Sequence, residues 1–216
     1  MSIEKCVKYP RTPHLPWSPG ASADDIVQGG VASFEGKTVV VTEKRDGENT
    51  TLYRDHSHAR SVDSRHHPSR AWVKQLQGQI GHLIPQGWRV CGENLYAAHS
   101  ISYQDLTSYF EVFSIWNDEN FCLNWEDTLE WCALLGLEHV PVLYRGLWDE
   151  ERIRDFSVDT TRQEGYVVRT ESGFSFDRFS DHIAKWVRKG HVTTDEHWMF
   201  REVVPNQLRD DERNDE

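Results

Sequence analysis

Paired cysteines, long apolar runs and excess positive charge are all missing from this 216-residue chain. Its four cysteines form no Cys-x-x-Cys pair, which argues against a zinc knuckle or a disulfide framework and indicates reduced thiols in a cytoplasmic protein. No apolar run is long enough to span a bilayer, and the first residues lack a hydrophobic signal segment, so we expect no membrane association. The formal net charge of −11 argues against broad, nonspecific binding to nucleic acid, which needs a basic surface.

Aromatic residues and two locally basic segments are present instead. The chain contains nine Trp, nine Phe and seven Tyr, and 38% of its residues are hydrophobic. A disordered chain would have few aromatics, so this composition predicts a globular protein with a substantial core. Residues 54–74 and 185–191 are basic. A positive cleft on an acidic body is therefore compatible with the net charge.

Strand patterns outnumber helical ones along the chain. β-Branched and aromatic runs predict strands over residues 36–44, 49–54, 87–95, 109–116, 140–143, 164–170 and 182–188. Apolar residues at helical spacing predict helices from Ser69 to Leu83, from Asn124 to Leu135 with Gly136 closing it, and more weakly from Glu150 to Phe156. We therefore predict an α+β fold of mostly antiparallel sheets with inserted helices.

The two ends of the chain differ in composition from its centre. Residues 1–30 include Pro10, Pro13, Pro16 and Pro19, which predict an irregular N-terminal leader packed on the domain. Residues 31–200 hold the predicted strands and helices and form one domain. Residues 201–216 end in a concentration of acidic side chains and are predicted to be a disordered tail.

Lys44 occupies a position that suits a covalent nucleophile. It follows the β-branched run of residues 38–42 and precedes the turn signal Asp46-Gly47, so it lies at the end of a strand, on a rigid element that opens to a cleft. A lysine amine has a pKa near ~10.4, and neighbouring cations, burial or a metal must lower it before the amine attacks readily at neutral pH. For this motif alone, a hairpin tip with a solvated lysine is the commoner structure.

Further charged and aromatic residues follow Lys44, mostly near the ends of predicted strands. In chain order they are Arg60, Glu93, Phe113, Glu164, Lys185, Arg188 and Lys189. This order of residue types resembles that of the covalent nucleotidyltransferase superfamily of nucleic-acid ligases and mRNA capping enzymes: lysine, arginine, carboxylate, aromatic, carboxylate and lysine. The resemblance is closest to the ATP-dependent RNA ligase family, and it spans about residues 36–190.

The resemblance is carried by six short motifs. Lys44-Arg45-Asp46-Gly47 is similar to the nucleotide-attachment motif, and Ala59-Arg60-Ser61 to the next motif, whose arginine contacts ribose or phosphate. Gly92-Glu93 is similar to the third motif and Phe113-Ser114-Ile115 to its aromatic companion, although family members often carry Phe-Asp there. Glu164-Gly165 and residues 185–189 are similar to the fourth and fifth motifs.

The resemblance implies a ligase-type nucleotidyltransferase domain over residues 31–200. Such ligases commonly add a C-terminal OB-fold or helical domain, but too few residues follow Lys189 for one, so we expect no separate OB-fold domain. It implies that Lys44 attacks ATP to form a covalent lysyl-AMP, and that AMP passes to an RNA 5′-phosphate, which is then sealed to a 3′-hydroxyl. Lys44, Lys185 and Lys189 are the implied catalytic residues. These three bind the ATP cofactor together with Glu43, Arg60, Glu93, Phe113 and Glu164.

The implied roles differ between residues. Glu93 accepts hydrogen bonds from the ribose, Phe113 stacks on adenine, and Lys185 neutralises the α-phosphate and helps to lower the pKa of Lys44. Glu164 binds Mg²⁺, with Mn²⁺ as an alternative. Broken RNA strands with a 5′-phosphate and a 3′-hydroxyl are the implied partners.

Some assignments stay open on the sequence alone. If residues 183–189 are extended, Lys185 and Lys189 share one face, which favours Lys189 as the second cation, with Arg188 as its competitor. The polar loop with Arg60, Arg65, His66 and His67 could contact nucleic acid, and His191 or Thr193 could reach a 5′-phosphate. A DNA ligase, a GTP-dependent capping-type enzyme and a catalytically silent domain that binds nucleotide or RNA ends are the alternative functions.

Overall fold

The computed structural model describes residues 6–63, 66–190 and 202–209. Within these ranges the strands are β1 (Thr38–Lys44), β2 (Glu48–Leu52), β3 (Ser57–Ala59), β4 (Arg89–Asn94), β5 (Phe110–Trp116), β6 (Phe121–Cys122), β7 (Glu138–His139), β8 (Val142–Leu147), β9 (Gly165–Thr170), β10 (Phe174–Ser175) and β11 (Ile183–Val187). The helices are α1 (Ala71–Ile80), α2 (Trp125–Leu135), α3 (Glu150–Arg154) and α4 (Phe179–His182). Short 3-10 turns cover Ala32–Phe34, Pro68–Arg70, Gly81–Leu83 and Phe176–Arg178.

These strands form two sheets. The first sheet has the order β11-β9-β1-β8, and all its neighbouring pairs are antiparallel. The second has the order β10-β6-β5-β4-β2-β3, also antiparallel, and β7 pairs with β5 in parallel. The predicted α+β fold of mostly antiparallel sheets with inserted helices is confirmed.

The turn after Lys44 crosses from one sheet to the other. β1 pairs with β8 and β9, whereas β2 pairs with β3 and β4, so Asp46-Gly47 does not close a hairpin between β1 and β2. A Cβ on Gly47 would lie 2.5 Å from the carbonyl oxygen of Asn94, so this close approach requires glycine. The Asp46 carboxylate accepts hydrogen bonds from the backbone nitrogens of Ser100 and Ile101, both at 2.8 Å. The turn is therefore held by the loop that follows β4.

Apolar clusters on both sides of each sheet form the core. Helices α1 and α2 cover one face of the second sheet through residues that include Val73, Ile80, Cys132, Leu135, Leu52, Phe110 and Val112. The N-terminal segment and α3 cover one face of the first sheet through residues that include Leu15, Phe34, Ile153, Val39, Val41 and Val168. The two remaining faces oppose each other, with Tyr9, Cys91, Trp116 and Ile183 packed between them.

Local sequence signals account for the ends of the helices. Asn124 accepts a hydrogen bond from the Asp127 backbone nitrogen at 2.8 Å and caps α2, which ends at Gly136 with a left-handed φ of 65°. The predicted helix from Ser69 to Leu83 is instead a short α1 between two 3-10 turns. At its end a Cβ on Gly81 would lie 2.4 Å from the Arg54 carbonyl oxygen. None of the helices in the described ranges is both long and apolar enough to cross a membrane.

Residues 202–209 pack on the domain, contrary to the predicted disorder of the tail from residue 201. Pro205 bridges Ala97 and Leu208 bridges Leu106. The Asn206 side chain is buried, donates to the carbonyl of Leu95 at 2.7 Å and accepts from the backbone nitrogen of Tyr103 at 2.9 Å. One amide thus satisfies backbone groups that a disordered tail would leave to water. The acidic residues 210–216 lie outside the described residues.

Candidate active site

Lys44 ends β1 and forms an ion pair with Glu164. Its Nζ donates to Glu164 Oε2 at 2.5 Å, and the two side chains are 24% and 8% exposed. The register of β1 and β9 sets this contact, because Lys44 lies opposite Gly165. A Cβ on Gly165 would lie 2.0 Å from the carbonyl oxygen of Trp186 in β11. Glycine after Glu164 therefore allows β11 to approach the carboxylate closely.

A cavity of about 180 Å³ lies between the two sheets at this point. Of the predicted site residues, Glu43, Lys44, Arg60, Glu93, Phe113 and Lys185 line it. They come from β1, β4, β5, β11 and the end of β3, so elements distant in the chain converge on one space. Tyr9, Pro10, Thr12 and Arg169 also line the cavity, although none of them was predicted to be a site residue.

A β-bulge directs Phe113 toward the cavity. In the pairing of β4 with β5, Cys91 lies opposite Ser114 and Gly92 lies opposite Val112, which leaves Phe113 as the extra residue. Bulges of this kind often change the direction of a side chain near a functional site. The neighbouring Val112 packs into the helix-covered core, whereas Phe113 packs between the sheets. This geometry leaves a ring at the cavity wall that a planar base can stack on.

The charges around Lys44 favour its ammonium form in the absence of nucleotide. Burial alone would lower the pKa of Lys44, but the carboxylates of Glu164 and Glu93 outweigh it and the pKa is raised. Burial raises the pKa of Glu93 to about 8, although the positive charge of Lys44 acts to lower it. Burial, together with the charge of Lys44, lowers the pKa of Lys185 to about 8. Lys185 was expected to lower the pKa of Lys44, but the carboxylates dominate the balance.

Arg45, directly after β1, connects the end of this strand to β5. Its Nε and Nη2 donate to the two carboxylate oxygens of Glu111 at 2.7 and 3.0 Å, and its Nη1 donates to Glu43 at 2.8 Å. Glu43 and Arg45 also line a second, polar cleft of about 550 Å³ on their other side. This network was not predicted from the sequence, although Glu111 is a carboxylate between the apolar residues of a strand. A charged residue in such a position, when buried, requires a partner.

The polar loop before α1 divides into residues with different roles. Arg60 directly follows β3 and lines the cavity, and its charge contributes to the lowered pKa of Lys185, whose largest cause is burial. His67 accepts a hydrogen bond from the Ser69 backbone nitrogen at 3.3 Å and caps the 3-10 turn before α1, which is a structural role. Arg65, His191 and Thr193 lie outside the described residues.

Lys189 does not reach the cavity. Lys189 was favoured as the second cation on the condition that residues 183–189 are extended. However, β11 ends at Val187, and residues 189–190 form a turn. Lys189 is exposed and is not among the residues that line the cavity, whereas Lys185 is.

Arg188 is connected to the turn that follows Lys44. Its backbone nitrogen donates to the Glu164 carbonyl at 3.0 Å, and its Nη2 donates to Ser100 Oγ at 3.0 Å. Ser100 Oγ in turn donates to Asp46 Oδ2 at 2.7 Å. This chain of contacts brings the guanidinium of Arg188, rather than the amine of Lys189, beside the attachment motif.

The carboxylate of Glu164, next to Lys44, suits a divalent metal that binds together with phosphate. It supplies hard oxygen donors, which Mg²⁺ and Mn²⁺ prefer. In residues 6–63, 66–190 and 202–209, no group of three or more His, Cys, Asp or Glu side chains could hold a metal by itself. The donor set therefore fits an ion that takes its other ligands from substrate phosphates and water, as Mg²⁺ usually does.

A family model and solved structures are similar to this chain. The family model described as RNA ligase matches residues 37–187. No curated protein sequence matches the chain significantly. An RNA ligase of Naegleria gruberi solved with pyrophosphate matches with a TM-score of 0.54 at 20% identity, over 73% of this chain and 51% of that chain. A mutant of the same ligase with ATP and Mn matches with a TM-score of 0.53 at 18% identity over the same shares.

The matched ligase chains are distant from this chain in sequence and longer than it. At 17–20% identity the likeness to the solved structures establishes a shared fold. The chain spans about half the length of the ligase chains that it matches, 51% in each comparison.

Proposed function

Because the chain belongs to the RNA ligase family, we propose that it is an ATP-dependent RNA ligase that works through a covalent lysyl-AMP on Lys44. The arrangement of Lys44 in a cavity with Glu93, Phe113 and Lys185 is the observation that carries this proposal. It offers a nucleophile, a hydrogen-bonding partner for a ribose, a ring for a base and a cation for a phosphate. Residues 31–200 are the proposed nucleotidyltransferase domain.

In the proposed first step, the neutral amine of Lys44 attacks the α-phosphorus of ATP. A phosphorus–nitrogen bond forms as the bond to pyrophosphate breaks, and the nitrogen, which becomes positively charged when it bonds, then releases one proton to water. Such a transfer depends mainly on in-line positioning and on neutralisation of phosphate charge. Lys185 supplies a cation across the cavity, Arg60 contacts ribose or phosphate, and Phe113 stacks on adenine.

The ion pair of Lys44 with Glu164 must open before this attack. Glu164 would hold a Mg²⁺ or Mn²⁺ ion, which would neutralise phosphate charge and draw the carboxylate of Glu164 away from Lys44. Once Glu164 no longer pairs with Lys44, burial and the nearby charge of Lys185 favour the neutral amine.

In the proposed second and third steps, AMP moves to the 5′-phosphate of a broken RNA, and a 3′-hydroxyl then displaces AMP to seal the strand. Arg188 is the proposed contact for the RNA 5′-phosphate, because it lies beside the attachment motif and a guanidinium binds phosphate through two donors. Lys189 is the weaker candidate. We place this RNA repair reaction in the cytoplasm, where the four free cysteines of the described chain would stay reduced.

Covalent labelling tests this proposal. The protein is incubated with ATP or GTP labelled at the α-phosphate, denatured and separated by electrophoresis. We expect a labelled band with ATP that Lys44→Ala abolishes and that Lys74→Ala, an exposed lysine on α1, retains. A band with GTP alone would indicate a capping-type enzyme, and label retained by Lys44→Ala would place the nucleophile elsewhere. Reversible ATP binding without any adduct would indicate a silent binding domain.

A sealing assay tests the substrate. Nicked duplexes of RNA, of DNA and of RNA–DNA hybrids are compared as substrates at equal concentration. The proposal expects joining when RNA provides the ends, and joining of DNA alone would identify a DNA ligase.

A further inference from the structure

Residues 9–18 run along β11 at the edge of the first sheet, and we name them the N-terminal strap. The Leu15 backbone nitrogen donates to the Lys185 carbonyl at 2.8 Å, and the Lys185 backbone nitrogen donates to the Pro13 carbonyl at 2.9 Å. Both peptide groups of Lys185 are thus bonded to the strap, and Gly20 continues the contact by donating to the Val187 carbonyl at 2.9 Å.

Buried polar groups hold the strap in this register. His14 is fully buried, and its Nδ1 lies 2.8 Å from Ser18 Oγ. Ser18 Oγ also accepts a hydrogen bond from the Val187 backbone nitrogen at 2.9 Å. The hydroxyl hydrogen of Ser18 is therefore available to His14 Nδ1. With this assignment the other ring nitrogen of His14, Nε2, carries the hydrogen and lies 3.6 Å from Asp25 Oδ2. Since buried polar groups are costly to leave unpaired, this register is strongly favoured over a shifted one.

The other end of the strap contacts the aromatic ring of the cavity. Tyr9 is buried, and its ring meets Phe113 edge to face, with centroids 5.1 Å apart and an interplanar angle of 71°. Tyr9 also packs against Phe179 at 5.4 Å. Tyr9, Pro10 and Thr12 line the cavity between this contact and Lys185.

We propose that the N-terminal strap is a wall of the nucleotide site that positions both recognition groups, Tyr9 setting the ring of Phe113 against the base and residues 13–18 setting Lys185 against the phosphate. The identification of the ligand as ATP rests on the proposed function. The physical reason is that the side chains opposite a base and a phosphate bind well only when held in place beforehand. Phe113 is a bulge residue, and Lys185 lies on β11, which has a neighbouring strand of the first sheet on one side only, so their own sheets constrain each of them weakly.

The base end of the strap is tested with Tyr9→Leu and its matched control Tyr9→Phe. Tyr9→Leu removes the ring edge beside Phe113, and we expect the KM for ATP in the labelling reaction to rise roughly three- to tenfold. The KM for UTP should change less than about twofold, since a pyrimidine offers a smaller stacking surface. Tyr9→Phe keeps the ring and should keep the preference for ATP. A general loss of stability would not change the ratio of the two KM values.

The phosphate end is tested with Ser18→Ala, which removes the acceptor for the Val187 backbone nitrogen. We expect slower labelling at saturating nucleotide, by roughly fivefold and equally for ATP and UTP, because Lys185 faces the phosphate common to both. The amount labelled at the end point gives the fraction of active molecules, and rates are divided by it. An unchanged corrected rate would overturn this part of the proposal.

Equilibrium nucleotide binding separates this inference from the ligase proposal. If wild type forms no adduct but prefers ATP to UTP, and Tyr9→Leu removes the preference, the strap inference stands and the ligase proposal fails. If wild type forms the adduct and Tyr9→Leu leaves both KM values unchanged, the strap inference fails and the ligase proposal stands. If wild type binds no nucleotide, both are overturned.

Discussion

Replacement of Phe113 by leucine separates nucleotide recognition from strand sealing. The ring lies at the cavity wall and stacks, in our proposal, on adenine. Base–aromatic stacking contributes about 1–3 kcal/mol, and leucine keeps part of the apolar contact, so we expect a loss of about 1–2 kcal/mol. This corresponds to a roughly 5- to 30-fold rise in the KM for ATP in the labelling reaction.

The assay compares two reactions of the same protein. Labelling with ATP requires adenine to bind, whereas sealing of RNA that already carries AMP at its 5′ end bypasses ATP binding. Phe113→Leu should slow the second reaction much less than the first. Equal losses in both reactions would refute the assignment of Phe113 to adenine during ATP use.

Phe174→Leu is the matched control for this experiment. Phe174 is buried in the same cluster between the sheets but does not line the cavity. Both substitutions remove a ring from the core and should cost stability by similar amounts, on the order of 1 kcal/mol. If Phe174→Leu raised the KM for ATP as much as Phe113→Leu, core packing rather than stacking would explain the effect.

Three other substitutions test the site. Glu164→Gln should slow metal-dependent labelling by about a hundredfold, while the midpoint of thermal unfolding stays near that of wild type. Loss of the unfolding transition in this variant would show that Glu164 has a structural role instead. Arg188→Ala should slow sealing of RNA with AMP at its 5′ end by roughly tenfold, because a charge-assisted contact to the RNA 5′-phosphate is lost. Lys189→Ala should change this rate by less than about twofold, and the reverse order would identify Lys189 as the contact for the RNA 5′-phosphate. Gly165→Ala should lower the free energy of unfolding by about 1–3 kcal/mol and impair labelling, since its Cβ would meet the β11 backbone. Gly30→Ala, with open space around it, serves as the control in denaturant titration. Equal unfolding midpoints for the two variants would contradict the close approach of β11 to Gly165.

Local sequence signals predicted much of the fold because they act over a few residues. Asn124 and Gly136 mark the ends of α2 through a capping hydrogen bond and a left-handed backbone, and both effects are local. The strand before Lys44 is likewise a run of β-branched residues. Asp46-Gly47 predicted a turn correctly, but whether that turn closes a hairpin depends on which strands pair, and β1 and β2 belong to different sheets.

Features that depend on distant parts of the chain could not be read from the sequence. The sequence favoured Lys189 over Arg188, because the end of β11 at Val187 and the contact of Arg188 with Ser100 depend on residues distant in the chain. The packing of residues 202–209 depends on Asn206 meeting backbone groups about a hundred residues away, at separations of 103 and 111 positions. The acidic composition predicted disorder there, because composition gives the charge of a segment but not the groups with which its residues form hydrogen bonds.

The sequence by itself determined the identity and order of the proposed site residues of this protein, from Lys44 to Lys185, because residue type limits which chemistry each position can perform. Only the tertiary structure decided their state and their surroundings. It brings Glu164 against Lys44, so the proposed nucleophile begins as a charged ion pair, and it makes the N-terminal strap a wall of the cavity. The physical reason is that charge, burial and contact depend on distances between atoms, which folding sets across more than a hundred residues.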